Sequence, residues 1–186
     1  MHAFYNQRRR KLLAGVEPNA AHRALARLEA DYAGEVFLVT QNIDNLHERA
    51  GSGRVWHMHG ELLKVRCGAC GQVQRWEEDL GKETACPACH GAGAMRPHVV
   101  WFGEMPFYLE EIAGVLAQAA CFLAVGTSGR VYPAAGFAEQ ARRAGARTIE
   151  VNLEETEISD VFVEGRRGLA GDVLPSLVDE ILAGDA

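Results

Sequence analysis

Apolar positions along this chain fall into two kinds of run. Leu25, Leu28 and Tyr32 recur at i, i+3 and i+7, the spacing of one helical face, and Gly34 follows as a stop. Residues 36–40 are instead a continuous apolar run with a polar end, the pattern of a strand buried on both faces of a parallel sheet. Both patterns return downstream. Leu109, Ile112, Leu116 and Ala119 predict a helix, residues 121–125 a second buried strand, residues 133–144 a helix and residues 148–151 a third strand. Val173, Leu174, Leu177, Val178, Ile181 and Leu182 form the apolar face of a last helix. At the front, residues 4–13 are helix-like until Pro18-Asn19 breaks the pattern. Strands alternating with helices predict an α/β fold, a Rossmann-like doubly wound parallel sheet.

Between residues 65 and 96 the periodicity stops, and glycine and cysteine take over. Cys67-x-x-Cys70 and Cys86-x-x-Cys89 stand fifteen residues apart. Each pair can present two thiolates from a tight turn, and two pairs complete a tetrahedral zinc site. With four thiolate ligands no position is left for water, so the zinc is structural. Two disulfides or a redox pair are the competing reading, which a reducing compartment disfavours. The fifth cysteine, Cys121, falls in a strand run and reads as core packing.

Composition narrows the class. At 186 residues and 48% apolar the chain can build one buried core, and a net charge of −6 argues against a nucleic-acid partner. No run approaches the roughly 18 apolar residues that span a bilayer, and no apolar signal segment opens the chain, so no membrane partner and a cytoplasmic location are expected.

The candidate chemistry sits where strands end. Gln41, Asn42, Ile43, Asp44 and Asn45 follow the first strand, Gly126, Thr127 and Ser128 the second, and Asn152, Leu153 and Glu154 the third. Ligands of doubly wound sheets bind beyond the C-terminal ends of the strands. Each group alone also reads as a turn or a helix cap; their convergence points to one ligand. His57 and His59 flank Met58 ahead of Gly60. Histidine is suited to proton transfer near neutrality, and with the cysteines completing a metal site, a general base at His59 is the better reading.

These strings together resemble the sirtuins: TQNIDNLHERAG at 40–51, HMHGELLKVRC at 57–67, both CxxC pairs, RPHVVWFGEMP at 96–106, VGTSGRVYPAAGF at 125–137 and VNLE at 151–154. The resemblance implies an NAD-dependent protein lysine deacylase that passes the acyl group to ADP-ribose and releases nicotinamide. It makes His59 the base, and Gln41, Asn42, Ile43 and Asp44 the lining of the nicotinamide and ribose pocket. Gly126, Thr127, Ser128, Asn152, Leu153 and Glu154 would hold NAD, with Ala170, in the loop before the last helix, closing over the adenine. Val99, Val100, Trp101, Phe102, Gly103 and Glu104 would pair edge-on with the acylated substrate peptide. Tyr5-x-x-Arg8 resembles the motif of the class III branch, whose members take succinyl- and malonyl-lysine. A forked guanidinium beside a phenol suits a carboxylate.

The expected organisation is a single catalytic domain over 1–186. Its Rossmann-like part covers 20–61 and 99–186, a helical insertion 1–19 and the zinc module 62–98. Sirtuins open with a strand and a GAGxS-type glycine loop, whereas this sequence begins at Met1-His2-Ala3-Phe4, within the helical insertion. A sheet without its first strand, and weak NAD binding by the chain as written, are therefore expected. The alternative reading is an inactive zinc-binding fragment or an acyl-peptide-binding pseudoenzyme.

Overall fold

The computed structural model describes residues 1–184. In chain order the elements are α1 (His2–Leu13), α2 (Ala20–Asp31), β1 (Leu38–Thr40), α3 (Leu46–Ala50), β2 (Val55–His57), β3 (Gly60–Cys67), β4 (Val73–Arg75) and β5 (Met95–Val99). They continue with α4 (Leu109–Leu116), β6 (Cys121–Val125), α5 (Phe137–Arg143), β7 (Arg147–Asn152), β8 (Glu164–Arg167) and α6 (Ala170–Ala183). The chain divides into two compact units.

One unit comprises residues 1–17, 38–46 and 55–108. β1 and β2 pair in parallel, setting Thr40 opposite His57, while β4, β3 and β5 form an antiparallel sheet in that order. Helix α1 packs on β3 and β5 through Tyr5, Leu12, Leu62, Leu63 and Val99. A second tie is polar. The fully buried Arg9 donates from Nε to the Leu62 carbonyl at 3.1 Å and from Nη1 to the Glu78 carbonyl at 2.9 Å. Asn6 donates to the Leu80 carbonyl at 2.9 Å. The acceptors around Arg9, with Asn6 Oδ1 at 3.2 Å from Nη1, offset part of the cost of burying the charge, while the buried Nη2 meets none.

The other unit comprises residues 18–37, 47–54 and the chain from 109 onward. β6, β7 and β8 form a parallel sheet with β7 in the middle, and Thr148, Ile149, Glu150 and Val151 of β7 are all buried. Helices α2 and α6 pack together, bringing Ala21, Ala24 and Leu28 into one core with Ile149, Val151, Leu174, Leu177 and Val178. Asn19 starts α2 with a capping box: its Oδ1 accepts from the His22 amide at 3.2 Å, and the Asn19 amide donates to the His22 ring at 3.3 Å.

Both parallel sheets fit the Rossmann-like expectation, and the strand–helix alternation is as the periodicity predicts. Three readings need correction, and one strand has no counterpart in the sequence pattern. The first strand is shorter than residues 36–40 and half-buried at Leu38 and Val39. Cys121 is exposed, not core: it is the first residue of β6, and a strand's first residue need not share the burial of its middle. Ala170 is the first residue of α6 rather than part of the loop before it. Finally, β8 is a strand without an apolar pattern; its Glu-Gly-Arg-Arg sequence is held by backbone pairing to β7.

Candidate functional site

The four thiols of Cys67, Cys70, Cys86 and Cys89 lie within 4.8 Å of one another. The Cys67–Cys89 and Cys70–Cys86 sulfurs are each 3.8 Å apart, near contact but not bonded. The two CxxC turns bring them together because Cys67 ends β3, and the Cys67 and Cys86 carbonyls accept from Gly71 and His90 at 2.9 and 2.8 Å. Backbone N–H groups of Cys70 and Ala69 hold the Cys67 thiol down to about 7, while burial and the neighbouring thiols push Cys70 up to about 11. The first proton therefore leaves from Cys67, and a bound cation would have to draw off the rest. Among the described residues the cluster comprises these four thiols, a set that fits a tetrahedral structural zinc.

In the same unit, a turn of polar residues follows β1. The Asn42 amide donates to Thr40 Oγ1 at 3.1 Å, and the Leu46 amide to Asp44 Oδ1 at 3.1 Å, which caps the start of α3. The Ile43 carbonyl accepts from the Leu62 amide at 2.7 Å, tying the turn to β3. Carbonyls of this turn also receive the two histidines. His57 Nδ1 lies 3.3 Å from the Asn42 carbonyl, and His59 Nδ1 lies 3.1 Å from the Gln41 carbonyl. A carbonyl can only accept, so both Nδ1 atoms carry hydrogen, and the neutral ring keeps its lone pair on Nε2. Burial separates the two: His57 is 4% exposed, whereas His59 is half-buried. Gly60, at φ +85°, brings β3 so close to β5 that a Cβ there would stand 2.1 Å from the His98 carbonyl oxygen.

The 99–104 segment leaves β5 under the control of one ion pair. Arg96 meets Glu104 through both guanidinium nitrogens, at 2.5 and 2.9 Å, and donates to the Val99 carbonyl at 2.9 Å. Glu104 in turn accepts from the Trp101 amide at 2.9 Å, and the guanidinium lies 3.4 Å from the Trp101 ring centroid. Hydrogen bonds from Arg96 hold the Glu104 carboxyl at about 2, well below its ordinary value. The Val100 amide bonds the His59 carbonyl at 2.9 Å, and Phe102 stands fully exposed. On α1, the Tyr5 ring is buried edge-on to Phe4, and the exposed Arg8 guanidinium lies 4.5 Å over the Phe4 ring.

The other unit carries a cleft of about 690 Å³ at the C-terminal ends of β6 and β7, lined by Gly126, Thr127, Ser128, Arg130, Asn152, Leu153 and the 154–157 segment. Asn152 spans the two strand ends, donating to the Thr127 carbonyl at 2.8 Å. Gly126 has φ +61° and open space where a Cβ would be, so a ligand can approach its backbone. Backbone, hydroxyls and a carboxylate at parallel strand ends fit a nucleotide. Ala170 is not among the lining residues; it packs against the apolar core. Sequence reasoning missed Arg96, Arg130 and Glu150. Arg96 could have been found, because it opens the RPHVVWFGEMP string.

The Sir2 family profile matches residues 1–133. A Leishmania major protein named NAD-dependent protein deacylase SIR2rp3 is 54% identical over 183 residues, covering 96% of this chain and 75% of that protein. The NAD-dependent protein deacylase of Vibrio cholerae is 53% identical over 184 residues, covering 98% and 75%. Among solved structures, a Sir2 homologue bound to NAD superposes with a TM-score of 0.89 at 35% identity, covering 100% of this chain and 72% of that one. A Sir2–p53 peptide–NAD complex gives 0.79 at 30% identity, covering 92% and 72%. With the profile matching most of the chain and relatives above half identity across nearly all of it, this chain belongs to the Sir2 family.

Proposed function

We propose that this chain is an NAD-dependent protein lysine deacylase in which His59 is the general base and which removes succinyl, malonyl and acetyl groups. The observation that carries the assignment is the His59 ring: its Nδ1–H is committed to the Gln41 carbonyl at 3.1 Å, which leaves Nε2 basic. NAD, when bound, supplies the ADP-ribose that accepts the acyl group as nicotinamide leaves. His59 Nε2, free to accept, would take a proton from a ribose hydroxyl of the bound cofactor. Gln41, Asn42, Ile43 and Asp44 orient the nicotinamide and its ribose, while Thr127, Ser128, Asn152, Leu153 and Glu154 bind the rest of the nucleotide. The 99–104 segment receives the acylated peptide as an added strand, in keeping with the peptide complex among the structural neighbours. Arg8 and Tyr5 meet the distal carboxylate of succinyl- or malonyl-lysine, a pairing that forked, charge-assisted donors suit.

No helix among the described residues is long and apolar enough to cross a membrane. All five cysteines are free of disulfides, which fits a reducing compartment and is in keeping with a cytoplasmic location.

The test is an NAD-dependent assay on succinyl- and acetyl-lysine peptides. The unaltered chain should release nicotinamide with both. His59→Ala should lower turnover by about 10²–10⁴-fold, the usual contribution of a positioned base, while remaining folded. Arg8→Met should weaken desuccinylation about tenfold or more and barely alter deacetylation, since one charge-assisted hydrogen bond contributes about 1.5–3 kcal/mol. Near-normal turnover in folded His59→Ala would remove the base assignment, and equal losses on both acyl groups would reduce Arg8 to a helix-face residue.

A further inference from the structure

A carboxylate lies under the nucleotide cleft where an aliphatic side chain would be the simpler choice. Glu150 is 1% exposed, between the fully buried Ile149 and Val151 on the central strand β7. Burying a carboxylate is unfavourable unless its oxygens are met, and here both are. Oε1 accepts from Thr156 Oγ1 at 2.8 Å. Oε2 accepts from Ser159 Oγ at 2.7 Å and pairs with Arg167 at 2.8 Å.

Those partners come from two segments, the stretch after β7, whose first part lines the cleft, and the end of β8. Thr156 lines the cleft, Ser159 follows just beyond the lining, and the Thr156 amide donates to Ser159 Oγ at 2.8 Å. Within that stretch Ile158 presses on the turn after β6 so closely that a Cβ on Gly129 would stand 2.4 Å from it. Arg167 ends β8 opposite Asn152, and the next amide, Gly168, donates to the Asn152 carbonyl at 3.0 Å. One side chain thus joins the 156–159 stretch, the end of β8 and, through Asn152, the turn carrying Thr127.

We propose that Glu150 is a positioning residue for the cofactor: by holding these segments in register it sets the affinity for NAD and not that for the acylated peptide. It touches no reacting atom. The inference rests on the reading of this cleft as the NAD site.

The full chain, Glu150→Gln and a Thr156→Val/Ser159→Ala double variant are compared. Hydrogen exchange without NAD reads the anchoring directly: segment 154–161 should exchange about tenfold faster in Glu150→Gln, the loss of a charge-assisted hydrogen bond. NAD titration and steady-state kinetics read the consequence. The dissociation constant and KM for NAD should rise about tenfold, while KM for the peptide and kcat at saturating NAD stay within about twofold. The double variant leaves the Glu150–Arg167 pair and should reproduce this split more weakly; it carries the test if Glu150→Gln does not fold. Parallel rises in both KM values, or unchanged exchange and NAD affinity, would overturn the proposal and leave Glu150 purely structural. If the unaltered chain binds no NAD, the reading of the cleft fails and the proposal with it; if that chain binds NAD and the variants bind it equally well, only the proposal fails.

Discussion

The sheet that carries the cysteines and the parallel sheet that carries the strand-end cleft reach order by opposite means. Around β3, β4 and β5 the buried cluster is Val65, Cys67, Leu80, Cys86 and Met95, so two of its five members are themselves candidate metal ligands. Around β7, Ile149, Val151, Leu174, Leu177 and Val178 are each at most 1% exposed, and none depends on a ligand. A segment that cannot bury enough apolar surface substitutes coordination for packing, whereas a central parallel strand flanked by helices needs only aliphatic side chains. Loss of the metal and loss of a core methyl group should therefore register in different parts of the molecule.

The largest effect should come from the metal. Structural zinc sites contribute about 10–16 kcal/mol of apparent binding energy, and in such sites binding energy is folding energy. Chelation, or Cys67→Ser, should strip hydrogen-exchange protection from residues 62–98 and leave β7 and α6 protected. Metal analysis should find one zinc per chain beforehand; finding none, with β3 still protected, would end the comparison.

Leu174→Ala should do the converse. Truncating a fully buried leucine removes about 2–5 kcal/mol of stability. Denaturant unfolding should show that loss, with weakened protection in β7 and α6 and the zinc stoichiometry still one.

The smallest effect tests how far beyond the zinc sheet its order extends. Glu104 is held by Arg96 of β5, with its carboxyl depressed from 4.5 to about 2. A depressed carboxyl stabilises the folded form fully above its ordinary value and ceases to do so as pH falls through the folded value. The 99–104 turn should thus be held at every pH above about 4.5 and released between there and about 2. Glu104→Gln should mimic the release at neutral pH. At a half-exposed pair the effect should be about 1 kcal/mol, read as a several-fold faster exchange of the Trp101 amide. No change would mean that the backbone alone sets the turn.

Much of this arrangement is legible in the sequence, and the exceptions share a cause. The CxxC pairs and the polar strand ends announce themselves because their chemistry is local: the residues that act together lie within a few positions or repeat at fixed spacing. Glu150 announces nothing. In Ile-Glu-Val it reads as an ordinary strand residue, and its partners Thr156, Ser159 and Arg167 become partners only once the chain has doubled back. The same holds for β8, whose Glu-Gly-Arg-Arg stretch carries no apolar alternation and is a strand solely because β7 offers it an edge. Cys121 misleads in the other direction: an apolar run predicts burial on average, not at its first residue. The distinction between His57 and His59 is also tertiary, since both face carbonyls of the same turn and differ in how deeply they are covered.

Gly60 faces two independent vetoes, one from its backbone angle and one from the carbonyl 2.1 Å from where a Cβ would sit. The residue beside the candidate base therefore has an alphabet of a single letter. A lineage descended from this chain could rewrite its zinc loops, its acyl pocket and most of its surface while this position stayed silent. Randomised in a library and selected for folded protein, it should return glycine almost alone, even where deacylation is not selected.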